Sequence, residues 1–294
     1  MPASRYDPGT VPRRGILLQP RDLEILSVVL KYRVVASGHV HALLFAGRSL
    51  RVVQARLRLL FEHRLLNRLF VPVVLSGSLL RRRSSQQPLY MLAGKGLQIL
   101  CDAGTAEDRL NLRRTAPEYS ASTVLHHVVV TDCLVSLVVA LRVHADLELV
   151  SAVTESELWL PMLRHRGRGE RQPLVVPDGA FTIRHRMTGE TMTFYLEVVR
   201  AGVSGGNRRL QAKFARYAEW SHVGRFATVY GHERVRAVLI ATTSAERAEH
   251  FRRLAAALVH GRGLFWFGVY GEPDADGIWR IGSSNAVLVP WPGK

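Results

Sequence analysis

Cysteine is nearly absent: Cys101 and Cys133 are the only two in 294 residues, and neither stands in a CxxC or Cys/His spacing. That excludes a thiolate zinc site and a disulfide framework, and both side chains are expected to be buried thiols in a reducing compartment. The twelve histidines are scattered and include no HExxH-like pair, which removes zincin-type hydrolysis. No apolar run approaches the ~20 residues that cross a bilayer, and the start MPASRYDPGT lacks the apolar centre of a signal peptide, so a cytoplasmic protein without a membrane role is expected. Acidic side chains are the minority, 24 against 40 Lys plus Arg, for a formal charge of +16. Because the arginines lie in both halves, double-stranded DNA is the simplest partner; a generally arginine-rich composition or a membrane surface are the alternatives.

The length suits two modest domains. Residues 1–18 carry Pro2, Pro8, Pro12 and paired arginines without apolar periodicity and read as a disordered basic arm. A first helix starts near Pro20, with Asp22 and Glu24 at the positive end of its dipole and Leu23, Leu26 and Leu30 as its inner face. Ser37 is read as the N-cap of a short second helix and Ser49 as that of a third. Leu50, Val53, Leu57 and Leu60 then follow helical spacing, which turns Arg51, Gln54, Ala55 and Arg58 outward.

An apolar strand over 66–75, the basic loop SGSLLRRRSSQQ, a return strand over 89–92 and a closing helix over 94–103 complete a winged helix-turn-helix pattern over 19–104. In that pattern Arg51, Gln54 and Arg58 meet the major groove, and Arg81, Arg82 and Arg83 touch backbone or minor groove. A solvated basic face that binds protein is the bland alternative.

Residues 105–122 are polar, contain Pro117 and read as a linker. From 123 to 144 runs an apolar helix interrupted by Asp132, a carboxylate that must be paired, at an edge, or aimed at a site. Residues 147–160 read as extended, with Glu155 and Glu157 inside. Two apolar runs follow, and each delivers one carboxylate: Asp178 in Pro177-Asp178-Gly179, itself a strong turn signal, and Glu197 at the end of TFYLE. If these runs are neighbouring strands, the carboxylates meet where a divalent cation and a phosphate could be held. A basic helix over 208–222 then presents Lys213 and Tyr217 on one face. A strand over 235–242, a helix capped by Ser244, a strand over 264–270 and an edge hairpin over 279–289 end the chain.

The order helix, three strands, helix, strand resembles the PD-(D/E)XK nuclease-like core. That resemblance assigns Pro177-Asp178 to the first acidic element, Glu197-Val198-Val199 to the second, and Asp132 to the helix carboxylate that completes a metal shell. The lysine of that motif is replaced by Val199; Lys213 on the next helix is either a substitute for it or only a partner of Glu197 or a contact to backbone phosphate. The whole chain resembles the replication-relaxation family of plasmid and mobile-element proteins, through QPRDLEILSVVLKYRVV, LHHVVVTD and PDGAF…FYLEVVRAG…LQAKFARY.

The expected architecture is therefore α/β (α+β): a winged helix-turn-helix domain, then a mixed sheet flanked by helices over 123–294. The expected function is DNA binding in replication, relaxation or mobilisation, alone or as a homodimer and with replication or mobilisation proteins. Val199 favours holding DNA over cutting it. The alternatives are a Mg²⁺-dependent endonuclease or nickase, with Asp178, Glu197 and Lys213 catalytic and Asp178, Glu197 and Asp132 on the metal, or a winged-helix transcriptional regulator.

Overall fold

The computed structural model describes residues 15–70, 88–104, 120–142, 144–166, 175–200, 206–233, 235–258 and 263–270. Helices and a mixed sheet make this an α/β protein, and the chain divides into two compact units, 1–135 and 136–294. The arm over 1–14, the loop with Arg81, Arg82 and Arg83, residues 105–119 of the expected linker and the hairpin over 279–289 lie outside the described residues.

In the first unit, α1 (Pro20–Tyr32) opens with Pro at its first position, and Asp22 turns back to accept from the backbone N–H of the N-cap residue Gln19 at 2.7 Å. Its inner face is Ile25, Leu26, Val29 and Tyr32; Leu23 and Leu30, expected inside, are half-buried because the stripe is rotated toward Ile25 and Val29. The two-residue strand β1 (Val35–Ala36) leads into α2 (Ser37–Leu44). The N-cap of α2 is Ala36 rather than Ser37, and His39 replaces a capping hydroxyl by accepting the Ala36 N–H on Nδ1 at 3.1 Å.

Helix α3 (Leu50–Glu62) is capped by Ser49 and buries Val53, Leu57, Leu60 and Phe61. Strands β2 (Leu66–Phe70) and β3 (Pro88–Leu92) pair antiparallel, and β1 adds to the other side of β3. Helix α4 (Gly94–Asp102) closes the unit against the backbone of Leu65, whose carbonyl accepts the Ala93 N–H at 3.1 Å. The Arg56 guanidinium makes a forked ion pair with Asp22, so one buried carboxylate both caps α1 and ties it to α3.

Helix α5 (Ala121–Arg142) corrects one expectation. Its 22 residues are long and apolar enough to cross a membrane, which the sequence reading denied of any segment. Yet 78% of its most apolar window is buried inside the structure, as in the core helix of a folded domain.

The second unit carries a five-stranded sheet in the order β4 (Leu147–Thr154), β5 (Gly179–His185), β6 (Thr191–Val199), β7 (Val235–Thr242), β8 (Phe265–Val269). The first three strands run antiparallel, and β7 and β8 join parallel to β6. Parallel neighbours need a crossover. Helices α7 (Gly206–His222) and α8 (Arg225–Tyr230) link β6 to β7, and α9 (Ala245–Ala256), capped by Ser244, links β7 to β8.

Residues 155–166, partly read as extended, form helix α6 (Glu155–Arg166) instead. Its start is locally written: the Glu157 carboxylate accepts the Thr154 N–H at 2.7 Å, the back-bond of a Thr-x-x-Glu capping box. One face of the sheet buries Ala180, Tyr195, Val238, Ile240, Phe265 and Phe267 against Leu158 and Met162 of α6, Phe214 and Tyr217 of α7, and Phe226 of α8.

Candidate nucleic-acid interface and carboxylate site

The two sides of α3 differ sharply. Val53, Leu57 and Leu60 are fully buried, whereas Arg51, Gln54, Ala55 and Arg58 are exposed. The Ser49 hydroxyl accepts the Arg51 N–H at 3.3 Å and fixes where the helix begins. Arg58 is partly committed, its Nε donating to Glu62 Oε1 at 2.8 Å, one turn on. The exposed face therefore carries one arginine with a carboxylate beside it and one at the helix start.

His39-Val40-His41 is a His-apolar-His triplet, a spacing that can hold metal, but both rings serve the fold. His39 is fully buried; with Nδ1 accepting from Ala36, its Nε2 carries the proton and donates to Asp132 Oδ1 at 3.1 Å. His41 Nε2 donates to the Arg48 carbonyl at 2.7 Å. Asp132 thus spends one oxygen on a histidine of the first unit. From the residue immediately before it, the Thr131 hydroxyl reaches the Val34 carbonyl at 3.0 Å, also within that unit. These contacts explain how a carboxylate and a hydroxyl are tolerated in an apolar helix.

The second unit brings Asp178, Glu197, Lys213 and Tyr217 together. Side chains alternate along a strand, so Glu197 shares with Tyr195 the face on which α7 packs, and Asp178, just before β5, shares that of Ala180. Gly179 pairs with Leu196, which sets Asp178 beside Glu197 at the end of the ladder. There Asp178 Oδ2 accepts the Val198 N–H at 2.7 Å, and its own N–H donates to the Leu196 carbonyl at 3.0 Å. From α7, the Lys213 ammonium donates to Glu197 Oε1 and the Tyr217 hydroxyl to Oε2 at 3.0 Å. The spacing of four that placed Lys213 and Tyr217 on one helix face is what lets them grip the two oxygens of one carboxylate.

Glu197 is buried, and this burial, reinforced by the charge of Asp178, pushes its pKa up to about 7 against the opposing pull of Lys213 and Tyr217. Burial acts to lower the Lys213 pKa, but Glu197, Asp178 and Glu155 together outweigh it and leave it above the ordinary value. Tyr217 is pushed well above the usual tyrosine range, first by burial and then by the same two carboxylates. With no exposed surface and its proton donated inward, the Tyr217 hydroxyl is sealed in the core and is not placed as a nucleophile.

A pH effect follows. Because the folded protein holds the Glu197 proton more tightly than the unfolded chain, the stability this group contributes is present below about pH 4.5 and lost as pH rises to about 7. Glu197→Gln is expected to flatten that part of the stability curve, measured by urea unfolding at half-unit steps from pH 4 to pH 8; an unchanged slope would refute the assignment.

The residues do not fit a metal centre. Asp178 and Glu197 each use oxygens on protein donors, and among the described residues no group of three His, Cys, Asp or Glu side chains is arranged to hold a metal ion. The lysine-bearing helix, not a third acidic ligand, completes this set.

Searches of curated proteins and of solved structures each returned no match. A family model described as replication-relaxation matches residues 26–235, from α1 through Asp178 and the strand that carries Glu197 to the start of β7. By that match, which covers well over half of its length, the chain belongs to the replication-relaxation family.

Proposed function

We propose that the chain is a DNA-binding protein of a plasmid or other mobile element, acting in replication or relaxation. In this reading the first unit is a winged helix that selects the site, and the second is a nuclease-like domain that holds double-stranded DNA without cutting it. The observation that carries the proposal is the divided surface of α3: an apolar side locked into the core and an opposite side offering Arg51, Gln54 and Arg58. A helix so anchored presents a fixed row of donors, as major-groove reading requires. The formal charge of +16 and the family's association with replication and relaxation agree with it.

Arg51→Ala is expected to weaken DNA binding and to lower the slope of log affinity against log salt by about 1, the share of one phosphate contact. Arg58→Ala should act less, since Glu62 already neutralises part of its charge. Fluorescence anisotropy across a salt series decides it, and unchanged binding in Arg51→Ala would overturn the interface. In the second arm, supercoiled plasmid incubated with the protein and Mg²⁺ or Mn²⁺ stays intact. Nicked circles lost in Glu197→Gln would instead establish an endonuclease.

A further inference from the structure

We propose that Lys213 is the resident cation of the carboxylate group in the second unit, supplying the positive charge that a divalent ion supplies between paired carboxylates, so that this unit needs no metal to fold. The inference rests on the reading of the unit as a domain that does not cut, and it gives that reading a physical cause.

Three observations carry it. The ammonium is bonded to Glu197, whose carboxylate the strand register sets beside Asp178, and the charges of Asp178 and Glu155 also favour the ammonium. The second oxygen of Glu197 is taken by Tyr217, and Asp178 is bonded to the backbone of Val198. A divalent ion entering here would have to displace protein donors already in place.

Finally, the residue type is selective: Lys213 is one of four lysines among the forty Lys plus Arg of the chain. A compact ammonium matches a metal-like point charge where a planar guanidinium fork does not. The Lys213 side chain keeps about a third of its surface exposed, 32% against 7% for Glu197. The cation thus enters from the helix side, while the carboxylate stays inside.

The test is thermal unfolding of the full chain at pH 8, where Glu197 is ionised, in buffer with EDTA or with 1 mM Mn²⁺ and without DNA. The wild type should melt at the same temperature in both. Lys213→Met in EDTA should melt roughly 6–12 °C lower, because a buried carboxylate loses its counter-charge. Mn²⁺ should restore part of that loss. Lys213→Met with Glu197→Gln should lose less and ignore Mn²⁺.

A wild-type melting temperature that rises with Mn²⁺ and stops rising in Glu197→Gln would show a native metal site and overturn the proposal. So would a Lys213→Met chain as stable in EDTA as the wild type. Since no DNA is present, either failure leaves the α3 interface to be judged by its own salt series. Should Lys213→Met fail to fold, the wild-type comparison alone still decides.

Discussion

Gly96→Ala should destabilise the protein by about 3 kcal/mol, although the same change in an ordinary helix interior stabilises it by about 1 kcal/mol. The reversal comes from one close approach. A Cβ on Gly96 would lie 2.2 Å from the Leu65 carbonyl oxygen and 3.0 Å from Leu92 Cδ1. The first obstacle is backbone, and it is not free to yield: the same Leu65 carbonyl accepts the Ala93 N–H that starts α4, and Leu65 leads directly into β2. Relieving the contact means lifting α4 from the sheet, exposing Leu92 and Leu100. Urea unfolding followed by circular dichroism gives the magnitude, and hydrogen exchange should place the lost protection in α1, α3 and α4. A variant as stable as the wild type would show that α4 is not seated as described.

His39→Leu should cost about 3 kcal/mol, and Asp132→Asn under about 1 kcal/mol, in the same unfolding measurement. The asymmetry follows from the direction of the proton. His39 Nε2 donates, so an asparagine oxygen at 132 still accepts, whereas leucine at 39 removes the donor from a buried carboxylate and the acceptor from the Ala36 N–H. The double variant His39→Leu with Asp132→Leu should lose about 1–2 kcal/mol less than the sum of the single losses, because neither leaves a polar partner behind for the other. Strict additivity would mean that the two groups do not act as a pair.

What the sequence made legible was periodic or local. The inner positions of α3 and the pairing of Lys213 with Tyr217 on one helix face follow from helical spacing alone, and β7 was read to its bounds because VRAVLIAT is a β-branched-rich run whose centre, Ala237 to Ala241, is apolar. Helix α6 was missed although the Thr154-x-x-Glu157 signal was present; Val150 to Val153 gave a strand pattern that was carried too far. The partner of Asp132 was out of reach of such reasoning. It lies 93 residues away, and a histidine that caps its own helix through Nδ1 gives no local sign of what Nε2 will meet. The replacement of the motif lysine by Val199 was visible, and so was the alternative that Lys213 pairs with Glu197; which of the two holds depends on how α7 crosses the sheet.

Asp22 has a consequence for how related chains can diverge. It back-bonds the N-cap of α1 and grips Arg56 through both oxygens. Asparagine there would keep the cap and lose the ion pair, so change at 22 and at 56 is expected to be linked, each site drifting only when the other has moved. Arg51 and Arg58 lie on the exposed side of the same helix and take no part in that ion pair. Within one helix, then, the arginine that holds the fold and the arginines on the open face evolve under separate rules, and the open face can be retargeted without disturbing the fold beneath it.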